Sequence, residues 1–505
     1  MNILLLYPEM PDTFWSMKHL MKLIGKKSSY PPLGLLTAAS LLPKDWNKKL
    51  VDLNISSVSN KEIAWADYVF ISAMNVQETF VKKAIKFCKK CNAKIVAGGP
   101  LFTHEYEKFP EVDHFVLNEA EITLPLFLKD LDEGNLQRIY KTDEFPDVTK
   151  SPMPLWDLVD QKKYAYAIVQ YSRGCPYMCD FCDVTALFGR RPRTKSAQQI
   201  IAELNKILES NLPELILFAD DNLIGNKRDL KDNLLPELIK WRENNKKAPG
   251  FATQVTVNLA DDEKMMQQMI DAGFRHIFVG IESPEEESLE FCKKTQNLKR
   301  DLLNNVKKLQ KFGFIVTAGF IVGFDTDKES IFDSQVKFIQ ESGIVIATVN
   351  VLKAPPGTEL HDRLAKENRL VESFDFDENK TNIITKMTEV KLFNGYKYIL
   401  DNIYKPEMVY KRAKIFLHDY GTHKTKTPIK KRISFNDIYT FLKLVIYVGI
   451  LGSERKYFWK LVFETRATNN RNLDQAFFFS ALIYQFKMLH NKFLLSFNEM
   501  NINKP

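Results

Sequence analysis

Cys175, Cys179 and Cys182 lie in the run YSRGCPYMCDFCDV, residues 171 to 184, at positions i, i+4 and i+7. Thiolates so spaced on one short loop can converge on a [4Fe-4S] cluster, each holding one iron. The fourth iron is then left without a protein ligand, and an open coordination position is where chemistry can occur. Three structural cysteines or a zinc site are the alternatives. Zinc asks for four ligands, commonly in CxxC pairs, and no fourth Cys or His lies nearby. A second pair, Cys88 and Cys91, has CxxC spacing on a helix-like stretch but no partner pair, so it reads as small buried apolar residues. Cys292 stands alone in a charged helix and reads as structural or incidental, although it is the only other cysteine in that region.

A cluster loop must be held by regular elements. The run YAIVQYS, residues 166 to 172, is strand-like, and Gly174 and Pro176 stop regular structure, so the cysteines ride a loop after a strand. Further strand candidates follow at Leu215 to Ala219, Ala252 to Val257, His276 to Ile281, Val316 to Val322 and Val345 to Leu352, separated by helix-length stretches. Six such βα units fit a partial parallel barrel, whose chemistry belongs at the C-terminal ends of its strands. Those ends carry the three cysteines, Asp220-Asp221-Asn222, Asn258, Glu282-Ser283, Gly323-Phe324-Asp325 and Pro355 to Thr358. Asp220 and Asp221 follow an apolar strand, so their carboxylates should face the barrel mouth and could receive an ammonium or hydroxyl group. The plain alternative is helix capping, above all for Asp221, Ser283 and Asp325.

Upstream, strand-like runs at Asn2 to Tyr7, Lys49 to Asn54, Tyr68 to Ala73, Lys94 to Ala97 and Phe115 to Asn118 also alternate with helix-length stretches. That alternation predicts a doubly wound parallel sheet, whose ligands lie beyond the strand carboxyl ends. The fold class is therefore α/β: an N-terminal Rossmann-like sheet at 1–135, a linker at 136–160, a partial (β/α)6 barrel at 161–360 and a mostly helical, basic region at 361–505.

The cysteine run matches, residue for residue, the CxxxCxΦC motif of the radical S-adenosylmethionine (SAM) superfamily, Phe181 being the aromatic Φ. The resemblance implies that the open iron chelates the amino and carboxylate groups of SAM. An electron from the cluster then gives a 5′-deoxyadenosyl radical that abstracts substrate hydrogen. It further implies a SAM site of Phe181, Asp220, Asp221, Asn258, Glu282, Gly319 and Gly323, with Glu282 as a ribose-contacting acid and the two glycines passing backbone close to adenine. A Rossmann-like unit just before such a barrel resembles the cobalamin-binding radical SAM enzymes. On that resemblance Pro8, Ser72, Asn75, Gly98, Gly99, Pro100, Asn118, Glu119 and Glu121 form the cobalamin rim. The DxHxxG motif that supplies a cobalt-ligating histidine is absent, since Asp113-His114 has neither the gap nor the glycine; the implied cobalamin is base-off. The plain alternative is a sheet that binds nothing.

The runs YPPLGLLTAASLLP (30 to 43), DHFVLNEAEITLP (113 to 125), LFGRRPRTK (187 to 195), FADDNLIGNKR (218 to 228) and PPGTEL (355 to 360) are similar to one group of cobalamin-binding radical SAM proteins with an additional C-terminal domain, related to hopanoid C-2 methylases. The implied chemistry is methylation of an unactivated carbon of a small or lipid-like substrate, with an external one-electron reductant of flavodoxin or ferredoxin type. A radical cyclase or oxidoreductase without methyl transfer is the first alternative and an RNA-modifying enzyme a distant second. Arg190, Arg191, Arg193 and Lys195 would shield cluster charge, hold an anion or form a solvated basic loop.

Bulk properties agree. Six cysteines, three of them clustered, argue against a secreted disulfide framework and for a cytoplasmic, reducing compartment. The opening MNILLLYPEM lacks a charged n-region and reads as a core strand. The formal charge of +8 is uneven: residues 405 to 505 hold 18 Lys and Arg against 7 Asp and Glu, or +11, leaving −3 for the rest. Nucleic acid is not the expected partner. Aromatics among the C-terminal lysines suggest a lid over a greasy substrate or a peripheral contact with the inner membrane face, beside the plainer reading of a helical cap with solvated lysines.

Overall fold

The computed structural model describes every residue except 14–15, 211–212, 247, 372–379, 423–434, 469–471 and 503–505. The basic stretch Lys424 to Arg432 therefore lies outside the described residues. All eleven strands expected from apolar runs are present, with ends shifted by at most three residues. The first sheet comprises β1 (Asn2–Tyr7), β2 (Asn47–Asp52), β3 (Tyr68–Ser72), β4 (Ile95–Gly98), β5 (His114–Val116) and β6 (Ile139–Tyr140), all parallel in the order β2-β1-β3-β4-β5-β6. In β1 the period-two alternation sends Leu4 and Leu6 into one core layer and Ile3 and Leu5 into the opposite one. The sheet is thus covered on both faces, which is why its strands read as unbroken apolar runs. Strand β6, with its buried Tyr140, falls where the linker was expected; two residues are too few to show a period. The order reverses between β1 and β3, and that switch point opens a crevice at Pro8 and at Ser72 to Asn75.

The second sheet is β7 (Tyr166–Val169), β10 (Leu215–Phe218), β11 (Gly250–Val255), β12 (Phe274–Glu282), β13 (Ile315–Val322) and β14 (Ile346–Val351), parallel and in sequence order. These six strands are the partial barrel. Between β7 and β10 a two-stranded antiparallel ribbon, β8 (Ser172–Arg173) with β9 (Arg193–Thr194), brackets the cysteine loop.

The C-terminal helices share one hydrophobic core with the barrel. On helix Glu389–Tyr404 the Tyr396 and Tyr404 hydroxyls donate to the carbonyls of Val349 and Ala347 in β14 at 3.1 and 3.0 Å. Arg412, on helix Pro406–Asp419, is fully buried and donates to the carbonyls of Ile403 and Val345. The last helix, Leu473–Ile502, returns to the start of the chain, where Gln485 accepts the Leu20 N–H at 2.7 Å. No helix among the described residues is long and apolar enough to cross a membrane.

Candidate functional site

The cysteine loop is fixed at both ends by backbone. Gly174 has φ +94°, and a Cβ there would stand 2.9 Å from the carbonyls of Phe188 and Gly189, so only glycine fits the turn. The Cys175 N–H donates to Gly189 O, the Cys182 N–H to Cys179 O and the Asp180 N–H to Cys292 O. All three cluster cysteines are half-buried. Burial pushes the Cys182 thiol up to about 12 and raises that of Cys175 too, so the loop waits for a cation to draw off its protons. Among the described residues no three His, Cys, Asp or Glu side chains converge on a point that would hold one metal ion. A cubane asks something different, one thiolate per iron, and the three-cysteine loop fits that demand.

The barrel rim corrects several expectations. Asp220 does not face the mouth: it is fully buried and accepts from the Tyr171 N–H at 3.3 Å, the Ser172 hydroxyl at 2.6 Å and the Ser172 N–H. Parallel pairing of Phe218 with Val169 sets the ends of β10 and β7 side by side, which delivers Asp220 to the backbone entering the cysteine loop. Asp221 accepts the Gly174 N–H at 3.1 Å and so also serves the loop. Burial raises both carboxyls, Asp220 to about 7 and Asp221 to about 6. Asn258 is engaged at both ends, accepting from Thr256 and donating to the Tyr177 hydroxyl at 2.7 Å each. It lines, with Tyr177, Arg191 and Gly225, a cavity of about 470 Å³ beside the cysteines. Both glycines expected against adenine are closely packed. A Cβ on Gly319 would lie 2.8 Å from the Phe278 ring, and the Gly323 N–H donates to Asp327 at 2.8 Å beneath Leu392.

Glu282, at φ +65°, is buried and paired with Lys294 at 2.7 Å. Lys294 was not anticipated. Its ammonium lies 6.0 Å from the centre of the Phe181 ring; burial opposes its charge, but Glu282 and then the Cys179 sulfur hold it above the ordinary lysine range. Gln296, equally unforeseen, donates its amide to the Cys179 sulfur at 3.5 Å. Both follow Cys292 in the run FCKKTQN, beyond the helix Glu286–Phe291 that succeeds β12. Cys292 itself is fully buried, with its thiol raised by burial, and is structural.

On the first sheet, two of the expected rim acids do something else. Glu119 accepts from Arg173 at 2.6 Å and from Arg193 at 2.6 and 3.2 Å, while Glu121 pairs with Arg173 at 2.8 Å and accepts from Ser151. These acids latch the first sheet to the β8–β9 ribbon. Asn118, at φ +61°, receives the Thr142 N–H at 3.4 Å and donates its own N–H to Thr103. Gly99 has φ +93°, and a Cβ would stand 2.7 Å from Ser72 Oγ, so Ser72 and the Gly98-Gly99-Pro100 turn form one close-packed edge. Pro8 O accepts from Gln77 at 2.8 Å.

Polar atoms do remain on this rim. Asn75 Oδ1 and His104 Nε2 are buried without a partner, and His104 lies against Gly357 of the barrel side. Burial holds the His104 imidazole below its ordinary range, against Asp183 and Glu105. Two orphaned polar atoms on this sheet edge, one of them on a side chain against Gly357, are what a polar cofactor seated there would satisfy. Of the basic run, Arg193 and Lys195 are spent on Glu119 and Glu203 at 2.6 Å each; Arg191 stays exposed on the cavity.

Residues 169–339 match the radical SAM superfamily model and residues 358–495 a domain of unknown function, DUF4070. The chain is 38% identical to an uncharacterized methyltransferase of Synechocystis sp., over 92% of this chain and 87% of the relative. It is 32% identical to the hopanoid C-2 methylase of Rhodopseudomonas palustris, over 91% and 88% respectively. In fold it is similar to the cobalamin-dependent SAM radical enzyme OxsB with aqua-cobalamin and SAM bound (TM-score 0.64, 15% identity, 100% of this chain and 81% of that one). It is also similar to the radical SAM methyltransferase TsrM of Kitasatospora setae with cobalamin and a [4Fe-4S] cluster bound (TM-score 0.59, 12% identity, 90% and 97%). An open three-cysteine loop at the mouth of a six-stranded parallel barrel, behind a Rossmann-like sheet and at this level of identity, places the chain in the radical SAM superfamily, as a member of the methyltransferase family that contains the hopanoid C-2 methylase.

Proposed function

We propose that this protein methylates an unactivated carbon of a small or lipid-like apolar substrate, using a [4Fe-4S] cluster, SAM and cobalamin. The observation that carries the reading is the opposition of two rims: the cysteine loop on one side, the unpartnered Asn75 and His104 on the other. Methyltransferase names among the relatives support the reaction class, and the hopanoid named for one of them supports an apolar substrate. When bound, the cluster with SAM supplies a hydrogen-abstracting radical and cobalamin supplies a methyl carrier.

The chain's own part is placement and exclusion of water. Cys175, Cys179 and Cys182 would hold three irons, with the Gln296 amide and the Lys294 charge beside the Cys179 sulfur. Phe181 packs edge-on against Phe324 at 6.3 Å and keeps one flank of the loop apolar. The Glu119 latch fixes the angle between the two rims. Asn75, Ser72 and the Gly98 to Pro100 turn would line the cobalamin side, and Tyr177, Asn258 and Arg191 the cavity beside the cluster. An external one-electron reductant of low potential is required.

The test is anaerobic reconstitution with iron, sulfide and hydroxocobalamin, followed by quantification of the two SAM-derived products. S-adenosylhomocysteine and 5′-deoxyadenosine in equal amounts, in the presence of an apolar polycyclic lipid, are expected. Deoxyadenosine alone would point to the reaction class of the magnesium-protoporphyrin ester cyclase, a relative at 22% identity.

A further inference from the structure

The helix Phe435–Leu444 continues into one π-helical stretch, Val445–Ile450, and this segment turns its apolar side outward. Tyr439, Leu442, Ile446, Tyr447, Ile450 and Leu451 are all about half exposed or more, Leu451 reaching 68%. They recur every three or four residues along the segment and together form one exposed apolar stripe. The opposite side is what packs inward. Leu444 and Val448 are buried, and Trp459 from helix Arg455–Thr468 donates to Gly449 O at 2.8 Å. A lone exposed apolar residue needs no explanation, but a contiguous stripe of this length marks an interaction surface.

Charge narrows the partner. Lys443 sits within the stripe, its ammonium 4.4 Å over the Tyr439 ring, and Arg455 and Lys456 follow just beyond its end. None of the three makes an ion pair among the described residues. No carboxylate occurs from Ile438 to Ser453, and Glu454 is buried and bound by Lys487 at 2.7 Å. Two copies meeting on this face across a two-fold axis would bring like charges together. An anionic lipid surface complements both features, taking apolar side chains below the headgroups and cations at their level. The stripe is shorter than a membrane span needs, so it would lie in the plane of the surface.

We infer that this face seats the protein on an anionic bilayer, from which an apolar substrate is drawn. Only the substrate clause rests on the proposed methyltransferase reading; the docking stands on the stripe. The full-length protein is floated with vesicles of phosphatidylcholine alone and of phosphatidylcholine with phosphatidylglycerol. Partition onto the mixed vesicles is expected, with a loss of about tenfold in Leu442→Glu/Ile446→Glu and a smaller loss, together with lost salt sensitivity, in Lys443→Gln/Lys456→Gln. Leu442, Ile446 and Lys456 are exposed and Lys443 is half-buried, and an unchanged melting curve controls for folding. Equal partition of the Glu variant and the parent overturns the inference. So does a concentration-dependent dimer that the Glu variant dissolves while neither protein binds vesicles. Because no turnover is measured, failure of docking and failure of the methyltransferase reading remain distinguishable.

Discussion

The barrel rim and the first-sheet rim face each other, and comparing them separates charged groups, which are spent on both, from neutral ones such as Asn222, Asn75 and His104, which keep unpartnered atoms. On the barrel rim the acids are already committed: Asp220 and Asp221 hold the backbone leading into the cysteine loop, Glu282 holds Lys294, and Asp325 holds Arg369 at 2.6 Å. On the sheet rim Glu119 and Glu121 are likewise spent, as a latch, but the neutral Asn75 and His104 keep buried atoms unpartnered. A buried carboxylate is costly unless satisfied, so it becomes scaffold. A neutral amide or imidazole is cheaper to leave waiting for a ligand. The carboxylates here therefore mark where the framework is held, and the neutral groups mark where something is received.

The largest expected effect separates the cysteines from everything else. Cys179→Ala should lose nearly all cluster iron and its visible charge-transfer absorbance while keeping the fold, since that side chain is half-exposed. Iron analysis beside circular dichroism checks it, and an iron-replete variant would contradict the loop assignment.

Next comes the latch. Glu119→Ala leaves Arg193 without its carboxylate and Arg173 with only Glu121, so a loss of about 3 kcal/mol is expected in denaturant unfolding. A variant of parental stability that had merely lost cobalamin would restore Glu119 to the ligand set and break the contrast between the rims.

The pH response follows. Burial raises the carboxyls of Asp180, Asp221 and Asp327 to about 6 and that of Asp220 to about 7. Between their unfolded values and these, the folded protein binds more protons than the unfolded chain, so stability falls as pH rises from about 4 to 7. Melting temperature should therefore drop across that interval, and Asp220→Asn should flatten its upper end. His104 and His490, held below their ordinary range by burial, pull the other way near neutrality, so the decisive comparison is Asp220→Asn with the parent: identical slopes would mean that Asp220 is not buried as described.

The smallest effect sharpens the other side. Asn75→Ala with His104→Ala removes no hydrogen bond of Asn75 Oδ1 or His104 Nε2, so stability should change by less than about 1 kcal/mol. Cobalamin retained through gel filtration should nonetheless fall about tenfold. Retention equal to the parent would leave those two atoms without a role.

Much of this was legible in sequence because it is local. Apolar runs bounded by turns gave every strand of five residues or more, and the spacing of three cysteines gave the cluster loop. What escaped depends on partners far along the chain. The rim acids look alike in sequence, and only the pairing of β10 with β7 shows that Asp220 is buried against Ser172, 48 residues earlier. Arg193 read as part of a basic loop, and Arg173 carried no reading of its own, until the β8–β9 ribbon brought both to Glu119. Lys294 and Gln296 lie more than a hundred residues from the cysteines they approach, and nothing near them announces it.

The bond between Leu20 and Gln485 joins residues 465 positions apart. During synthesis at about 5–20 residues per second, the first helix would wait roughly 20–90 s for its partner. Until the last helix leaves the ribosome, the Leu20 N–H has no Gln485 to meet, so the contact that joins the two ends of the chain closes last.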